Sequence, residues 1–273
     1  MYDVTAIGEL LIDFTPSGAD TSGVPLFAQN PGGAPANVLA MNARLGGRTA
    51  FIGKVGQDDF GRYLKNMLTS NSIDATGIVM DPAVNTTLAF IQLSEQGDRS
   101  FSFYRNPGAD MMLREDEVNT QLISDCEIFH FGSVSLTDEP SRSATLSAVN
   151  FAKRQGKIIS FDPNYRPPLW KSRFLAKEEI SHALSIADII KVSEEEMAFL
   201  TGETDLKIGA ETLAKYGAVL ILISLGHKGA FYFTPNHHRI IPTYNVNTID
   251  TTGAGDAFLG AIHYRLRGKA GYI

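Results

Sequence analysis

The run Ala218-Val-Leu-Ile-Leu-Ile-Ser224 carries six apolar side chains in succession, which restricts the available folds more than any other stretch. A strand with one wet face alternates apolar and polar residues, whereas a strand covered on both sides has no need to. Residues 218–224 therefore read as a central strand of a parallel sheet with helices above and below. The rest of the chain keeps the matching rhythm. Short β-rich runs at 4–8, 48–55, 126–131, 157–161 and 188–192 alternate with runs of three-to-four apolar spacing at 34–45, 59–70, 140–154, 194–200 and 209–216. Asp58 and Ser193 stand where helix N-caps belong. The expectation is an α/β fold, a predominantly parallel central sheet flanked by helices, in a single domain over residues 1–273.

One region breaks this rhythm. Thr87-Leu-Ala-Phe-Ile-Gln-Leu93 and Ser100-Phe-Ser-Phe-Tyr-Arg105 both read as strands, and the polar turn Glu95-Gln-Gly-Asp98 joins them into a hairpin. A hairpin does not fit easily into a parallel sheet. With strands from 10–14 and 25–29 it is expected to form a small antiparallel β-lid, about 10–30 and 87–105, over the strand ends. Such a flap serves either as a cover that keeps water from a reactive centre or as a dimer contact, and the two uses are compatible.

Composition removes several classes of function. With net charge −6 and a pI near 5.5 the chain has no electrostatic footprint for nucleic acid, and no cluster of Lys and Arg is interleaved with aromatics. No apolar run reaches the ~18 residues of a membrane span, and Met1-Tyr-Asp-Val-Thr-Ala-Ile-Gly8 enters a strand-like run without a basic leader. A soluble, cytoplasmic protein without a membrane partner is expected. The single cysteine, Cys126, reads as a core residue. Among the six histidines, His182, His227 and His263 read as helix or turn surface positions, and His237 and His238 as part of a polar hairpin. None of these has a partner at the helical spacing of a metal site, so no protein-held transition metal is expected.

The chemistry concentrates in Ile249-Asp-Thr-Thr-Gly-Ala-Gly-Asp-Ala-Phe258. The largely apolar or helix-tolerant residues 257–266 make the Gly253-Ala254-Gly255 turn a helix entry whose unpaired amides converge on one spot, where an anion belongs. Asp256 is then out of place beside a phosphate unless it takes a proton from the nucleophile that attacks phosphorus. The other reading of Asp256 is a first-turn carboxylate complementing the helix dipole. A Walker A loop is excluded because no lysine follows Gly255, and a dinucleotide fingerprint because this turn lies late in the chain. A second constellation is Asn30-Pro-Gly-Gly-Ala-Pro-Ala-Asn37, two glycines before a helix start with an amide in its first turns, together with Asp13 after a buried-type run. A carboxylate, an amide and open backbone suit a polyhydroxylated ligand, although Asn37 also suits a helix-start cap.

Three segments, Gly32-Gly33-Ala-Pro-Ala-Asn37, Gly53-Lys-Val-Gly-Gln-Asp58-Asp-Phe-Gly61 and Asp250-Thr-Thr-Gly-Ala-Gly-Asp256, resemble in order and spacing the ribokinase-like (PfkB) carbohydrate kinases. Within that family Gly8-Glu-Leu-Leu-Ile-Asp13-Phe-Thr-Pro16, Phe103-Tyr-Arg105-Asn-Pro-Gly-Ala-Asp110 and Phe161-Asp-Pro-Asn-Tyr-Arg166-Pro-Pro-Leu-Trp170 are most similar to the bacterial and plant fructokinases. The resemblance covers the whole chain and implies ATP-dependent phosphorylation of a sugar hydroxyl, fructose first. Ribose, 2-keto-3-deoxygluconate, or a catalytically weak sugar-binding relative are the alternatives.

The resemblance further implies that Asp256 is the base, that the amides of Gly253, Ala254 and Gly255 form an anion hole, and that Asp13, Gly33 and Asn37 hold sugar hydroxyls. Arg105 from the lid and Arg166 after the strand at 158–161 are expected near substrate or phosphates; a surface ion pair is the other reading of Arg166. On the nucleotide side it implies Ser193, Glu196, Ser224, Gly226 and Gly229, with Glu196 ordering hydrated Mg²⁺. Ser193 stands where the family usually has asparagine, and the 224–229 segment taken alone is also an ordinary strand-to-strand turn. Asp250 and Thr252 are implied as part of a K⁺ site. A homodimer through the lid is a further expectation. Relatives typically continue for roughly another 40 residues past the Asp256 helix, so the C-terminal part of the usual domain is expected to be absent from these 273 residues.

Overall fold

The apolar run at 218–224 forms its strand, and the two faces of that strand enter different cores. Ile221 and Ile223 join one hydrophobic cluster, Leu222 the other. The structure, a computed structural model, describes residues 1–93, 99–247 and 251–269. Its strands are β1 (Tyr2–Ile7), β2 (Leu11–Ala19), β3 (Pro25–Gly32), β4 (Thr49–Gly56), β5 (Ile73–Asp81), β6 (Leu88–Leu93), β7 (Arg99–Tyr104), β8 (Cys126–Gly132), β9 (Ile158–Asp162), β10 (Ile189–Ser193), β11 (Leu220–Ser224), β12 (Ala230–Thr234) and β13 (His237–Ile241). The α-helices are α1 (Ala34–Arg44), α2 (Asp59–Ser70), α3 (Thr120–Ser124), α4 (Ser141–Arg154), α5 (Arg173–Leu184), α6 (Glu194–Thr201), α7 (Leu206–Ala214) and α8 (Ala254–Leu266).

Nine strands make the main sheet, in the order β13-β12-β11-β10-β9-β8-β1-β4-β5. Pairing is parallel from β11 through β5, while β12 and β13 fold back antiparallel at one edge. The run at 218–224 is thus the last parallel strand and not a central one. One of its faces is covered by α6 and α7, while Leu220 and Leu222 on the other border a cavity shared with Phe258 and Ile262 of α8. Helices α3 to α7 pack on one face through residues such as Ile123, Val149, Ile180, Leu200 and Leu213. Helices α1, α2 and α8 cover the other through Val38, Leu39, Leu64 and Leu259. Asp58 caps α2 by accepting the Gly61 N–H, as its position predicts. Cys126 is buried in the core.

The hairpin at 87–105 stays out of the main sheet. It joins the β2–β3 hairpin in a four-stranded sheet of order β3-β2-β6-β7, antiparallel within each hairpin and parallel where β2 meets β6. The expected wholly antiparallel lid therefore contains one parallel joint, because two hairpins leaving the same end of the main sheet lie side by side. Phe14 stacks on Phe90 at 4.8 Å and meets Phe60 of α2 edge-on at 5.9 Å, anchoring the lid to the body.

Helix α8 is more deeply set than its sequence suggests. His263, expected on a surface, is fully buried; its Nε2 lies 2.8 Å from Ser160 Oγ, which also reaches His130 Nδ1 at 3.2 Å. The reason is that α8 packs beside α1 on the same face of the sheet and turns His263 toward β8 and β9. The α1–α8 seam is tight: the Asn42 side-chain amide donates to the Gly260 carbonyl at 3.3 Å, and a Cβ on Gly260 would collide with the Val38 carbonyl. Gly260→Ala is therefore expected to cost about 1–3 kcal/mol despite alanine's better helix propensity. Urea unfolding should show it as a lower midpoint with an unchanged slope.

Candidate active site

In an open α/β sheet a ligand crevice opens at the carboxyl ends of the strands where strand order reverses. Here the chain runs from β1 outward through β4 to β5, then restarts on the other side of β1 with β8, so the reversal falls between β1 and β8. A cleft of about 920 Å³ lies at this point. Asp13, Gly33, Asn37, Arg166, Ser193, Glu196, Thr252, Gly253, Gly255 and Asp256 all line it, and Leu11, Ile91 and Phe103 of the lid roof it.

Asp256 sits in the first turn of α8 and is buried. Its Oδ2 accepts the Asn37 amide at 2.9 Å and its Oδ1 the Asn164 amide at 3.2 Å. Burial pushes its carboxyl upward, as does the nearby Asp162, while Asn37, Lys191 and Arg166 pull it back. A carboxylate raised toward neutrality yet held by two amide donors is oriented as an acceptor and better matched in basicity to a hydroxyl proton. Asn164 reaches this place from a backbone with φ of +44°, a conformation that asparagine tolerates better than most residues.

Gly33 precedes α1 with φ of +120°, and a Cβ there would collide with the Glu9 carbonyl. Only glycine lets the α1 entry lie this close to the end of β1. Glu9 answers from its side chain: Oε1 accepts the Ala34 N–H at 2.9 Å, and burial pushes the carboxyl to about 7. Asp13 is pushed up to about 6, by burial first, with Arg166 lowering and Asp256 raising it.

Across the cleft, Ser193 and Glu196 form a reciprocal cap on α6. Ser193 Oγ accepts the Glu196 N–H, Glu196 Oε2 accepts the Ser193 N–H at 2.8 Å, and Glu196 Oε1 takes the Tyr165 N–H at 2.7 Å. Serine at 193 thus has a cap's role that needs no amide side chain. Among the described residues no cluster of three or more His, Cys, Asp or Glu is arranged as a metal site. Ser224, Gly226 and Gly229 line a second cavity, about 1510 Å³, walled by Leu222, Tyr232 and Phe258. Its boundary includes Thr251 and Gly255, which also line the first cleft, so the two spaces meet at the first turn of α8.

Two expectations change. Arg105 is not among the described residues lining the cleft. Its Nε pairs with Asp110 at 2.7 Å, and its other nitrogens donate to Thr137 Oγ1 and the Val134 carbonyl, so the fork is filled by protein groups. Ala254 spends its N–H on the Thr251 carbonyl at 3.1 Å. Asp250 lies outside the described residues. Sequence reasoning missed Asn164 and the buried pair Lys191–Asp162, whose Nζ and Oδ2 are 2.8 Å apart in the cleft wall. A signal existed for the pair, since Lys191 interrupts an otherwise apolar parallel strand.

A phosphate-receptive helix entry, a buried acceptor carboxylate and two joined cavities define a phosphoryl-transfer enzyme acting on a small hydroxylated acceptor. The chain belongs to the pfkB family of carbohydrate kinases, whose pattern matches residues 1–270. Fructokinase-1 of Zea mays is 46% identical over 271 residues, covering 96% of this chain and 82% of that protein. The crystal structure of a fructokinase with bound ATP from Xylella fastidiosa superposes with a TM-score of 0.90 at 34% identity, covering 98% of this chain and 82% of that one. A fructokinase double mutant from Vibrio cholerae O395, in fructose-, ADP- and potassium-bound form, gives 0.88 at 38% identity, with 97% and 83% covered. Among the described residues no helix is long and apolar enough to cross a membrane.

The raised carboxyls carry a stability consequence. Asp13 titrates from 3.8 unfolded to about 6 folded, so the folded state binds the extra proton and stability falls as pH rises through that interval. Asp13→Asn should raise the unfolding temperature at pH 7.5, and the gain should shrink toward nothing near pH 4. Calorimetry across this range checks the sign.

Proposed function

We propose that the protein transfers the γ-phosphoryl group of ATP to the primary hydroxyl of fructose, giving fructose 6-phosphate. The observation that carries this reading is Asp256, a buried carboxylate gripped by two amides in the cleft, next to Gly255, where the cleft meets the second cavity. Fructose is favoured by the named activities of the relatives.

In this reading Asp13, Gly33 and Asn37 hold the sugar hydroxyls and turn the reacting one toward Asp256. Asp256 takes its proton as the oxygen attacks phosphorus in line. The amides of Gly253 and Gly255, joined by that of Asp256 because the Ala254 N–H is spent on the Thr251 carbonyl, receive the growing negative charge. Arg166, on the loop after β9, neutralises phosphate or orients sugar. Ser193 and Glu196 border the phosphates, and Ser224, Gly226 and Gly229 let backbone approach the nucleotide. Magnesium carried on the nucleotide's phosphates would neutralise their charge, with Glu196 holding it through water because both its oxygens already accept backbone N–H groups. Thr252, with Asp250, is assigned to a potassium site that keeps the helix entry ordered. The lid residues Leu11, Ile91 and Phe103 exclude water from the cleft. The lid's outward Val24, Leu26, Phe27 and Tyr104 suit contact with a second copy of the chain. A cytoplasmic site of action accompanies ATP as donor.

ADP release from MgATP, followed over a panel of fructose, ribose, glucose and 2-keto-3-deoxygluconate, tests the reading. Turnover should be highest with fructose, and Asp256→Asn should lower kcat by about 10²- to 10⁴-fold. Preference for another sugar would reassign the acceptor, and silence with all of them would sink the kinase reading.

A further inference from the structure

Lys191 is a buried cation of the cleft wall that the mechanism above leaves unused. It points from β10 into the same cleft as Asp256 and is 5% exposed. Its Nζ holds Asp162 Oδ2 at 2.8 Å. The same nitrogen lies 2.9 Å from the position a Cβ would occupy on Gly255. The ammonium therefore rests against the first turn of α8, in the gap that Gly255 leaves by having no side chain.

Burying an ammonium is expensive unless nearby negative charge compensates it. Here burial works against the charge, but Asp162, Glu196 and Asp256 outweigh it and hold Lys191 above its ordinary range. One carboxylate at 2.8 Å would satisfy a purely structural lysine. The remaining N–H groups of an ammonium have donor capacity to spare, and they face the junction where two cavities meet and an anion is to be received. We propose that Lys191, steered by Asp162 and admitted by the missing side chain of Gly255, is a charge-stabilising residue that contacts the phosphoryl group in transit. This inference rests on the kinase reading. It gives Gly255 a second reason to be glycine, because any Cβ would displace the ammonium. It also divides the labour: backbone amides bind the anion from the α8 side, and a buried cation meets it from the sheet.

The test compares wild type, Lys191→Met and Lys191→Arg for fructose turnover, for binding of ADP and of fructose separately, and for binding of ADP with aluminium fluoride and fructose as a mimic of the transferring state. Lys191→Met should lower kcat by about 10²- to 10³-fold, the usual loss for one oxyanion donor. Its affinity for the mimic should fall in step, while ADP and fructose each bind within about threefold of wild type, and Lys191→Arg should recover part of the loss. A kcat within about threefold of wild type, or equal weakening of ADP and the mimic, overturns the inference. If Lys191→Met does not fold because Asp162 is left unpaired, the double variant Asp162→Asn/Lys191→Met, which leaves no lone buried charge, carries the same readouts. An active wild type with an active double variant sinks the Lys191 role alone. A wild type without turnover sinks the functional reading and this inference with it.

Discussion

Everything about the site depends on how closely α1 and α8 approach. Asn37 reaches Asp256 across 219 residues of sequence at 2.9 Å, and this is achievable only because Gly260 lets the two helix backbones touch. The seam is reinforced from below, where Asn42 bonds to α8 and His263 is held through Ser160 to the sheet. It is reinforced from above by Glu9, which receives the first amide of α1. A helix pair placed this firmly positions a carboxylate, an amide and a set of backbone donors, with Asn164 completing the hold on Asp256.

The electrostatics of the cleft follow the opposite logic to that of a stable core. Five carboxylates, Glu9, Asp13, Asp162, Glu196 and Asp256, gather here, the last four coupled to Lys191 or Arg166 and Glu9 to Arg105. Four of the five are pushed upward, desolvation being the largest cause in each case. Stability is given up where hydroxyl groups and phosphates are to be handled, and it is recovered in two well-packed cores on either side of the sheet.

The features legible in sequence were those enforced by backbone physics. A doubly apolar run demanded two-sided cover, a polar turn between two short runs made a hairpin, and glycines before a carboxylate marked a helix entry. Asp13, Asn37 and Asp256, picked from separate segments, do face one cleft. What escaped was decided by tertiary neighbours. Arg105 read as a free fork, but Asp110 five residues on captures it. Helix α5 went unread because Phe174 and Leu175 are exposed at its start and blur the apolar stripe. His263 looked like a surface residue because nothing local says that this side of α8 packs against the sheet. Asn164 is reached by a left-handed turn that no periodicity announces.

The distance in sequence between the two halves of the seam has a consequence for biosynthesis. Asn37 leaves the ribosome early and Asp256 late, so the carboxylate and the amide that holds it first meet when nearly all of the described chain has been made. At typical synthesis rates of about 5–20 residues per second, that interval lasts tens of seconds. Throughout it, the emerging β1, β4 and α1 region lacks the carboxylate that Asn37 holds. A nascent chain of this topology cannot assemble the Asn37–Asp256 pair before α8 has packed against α1.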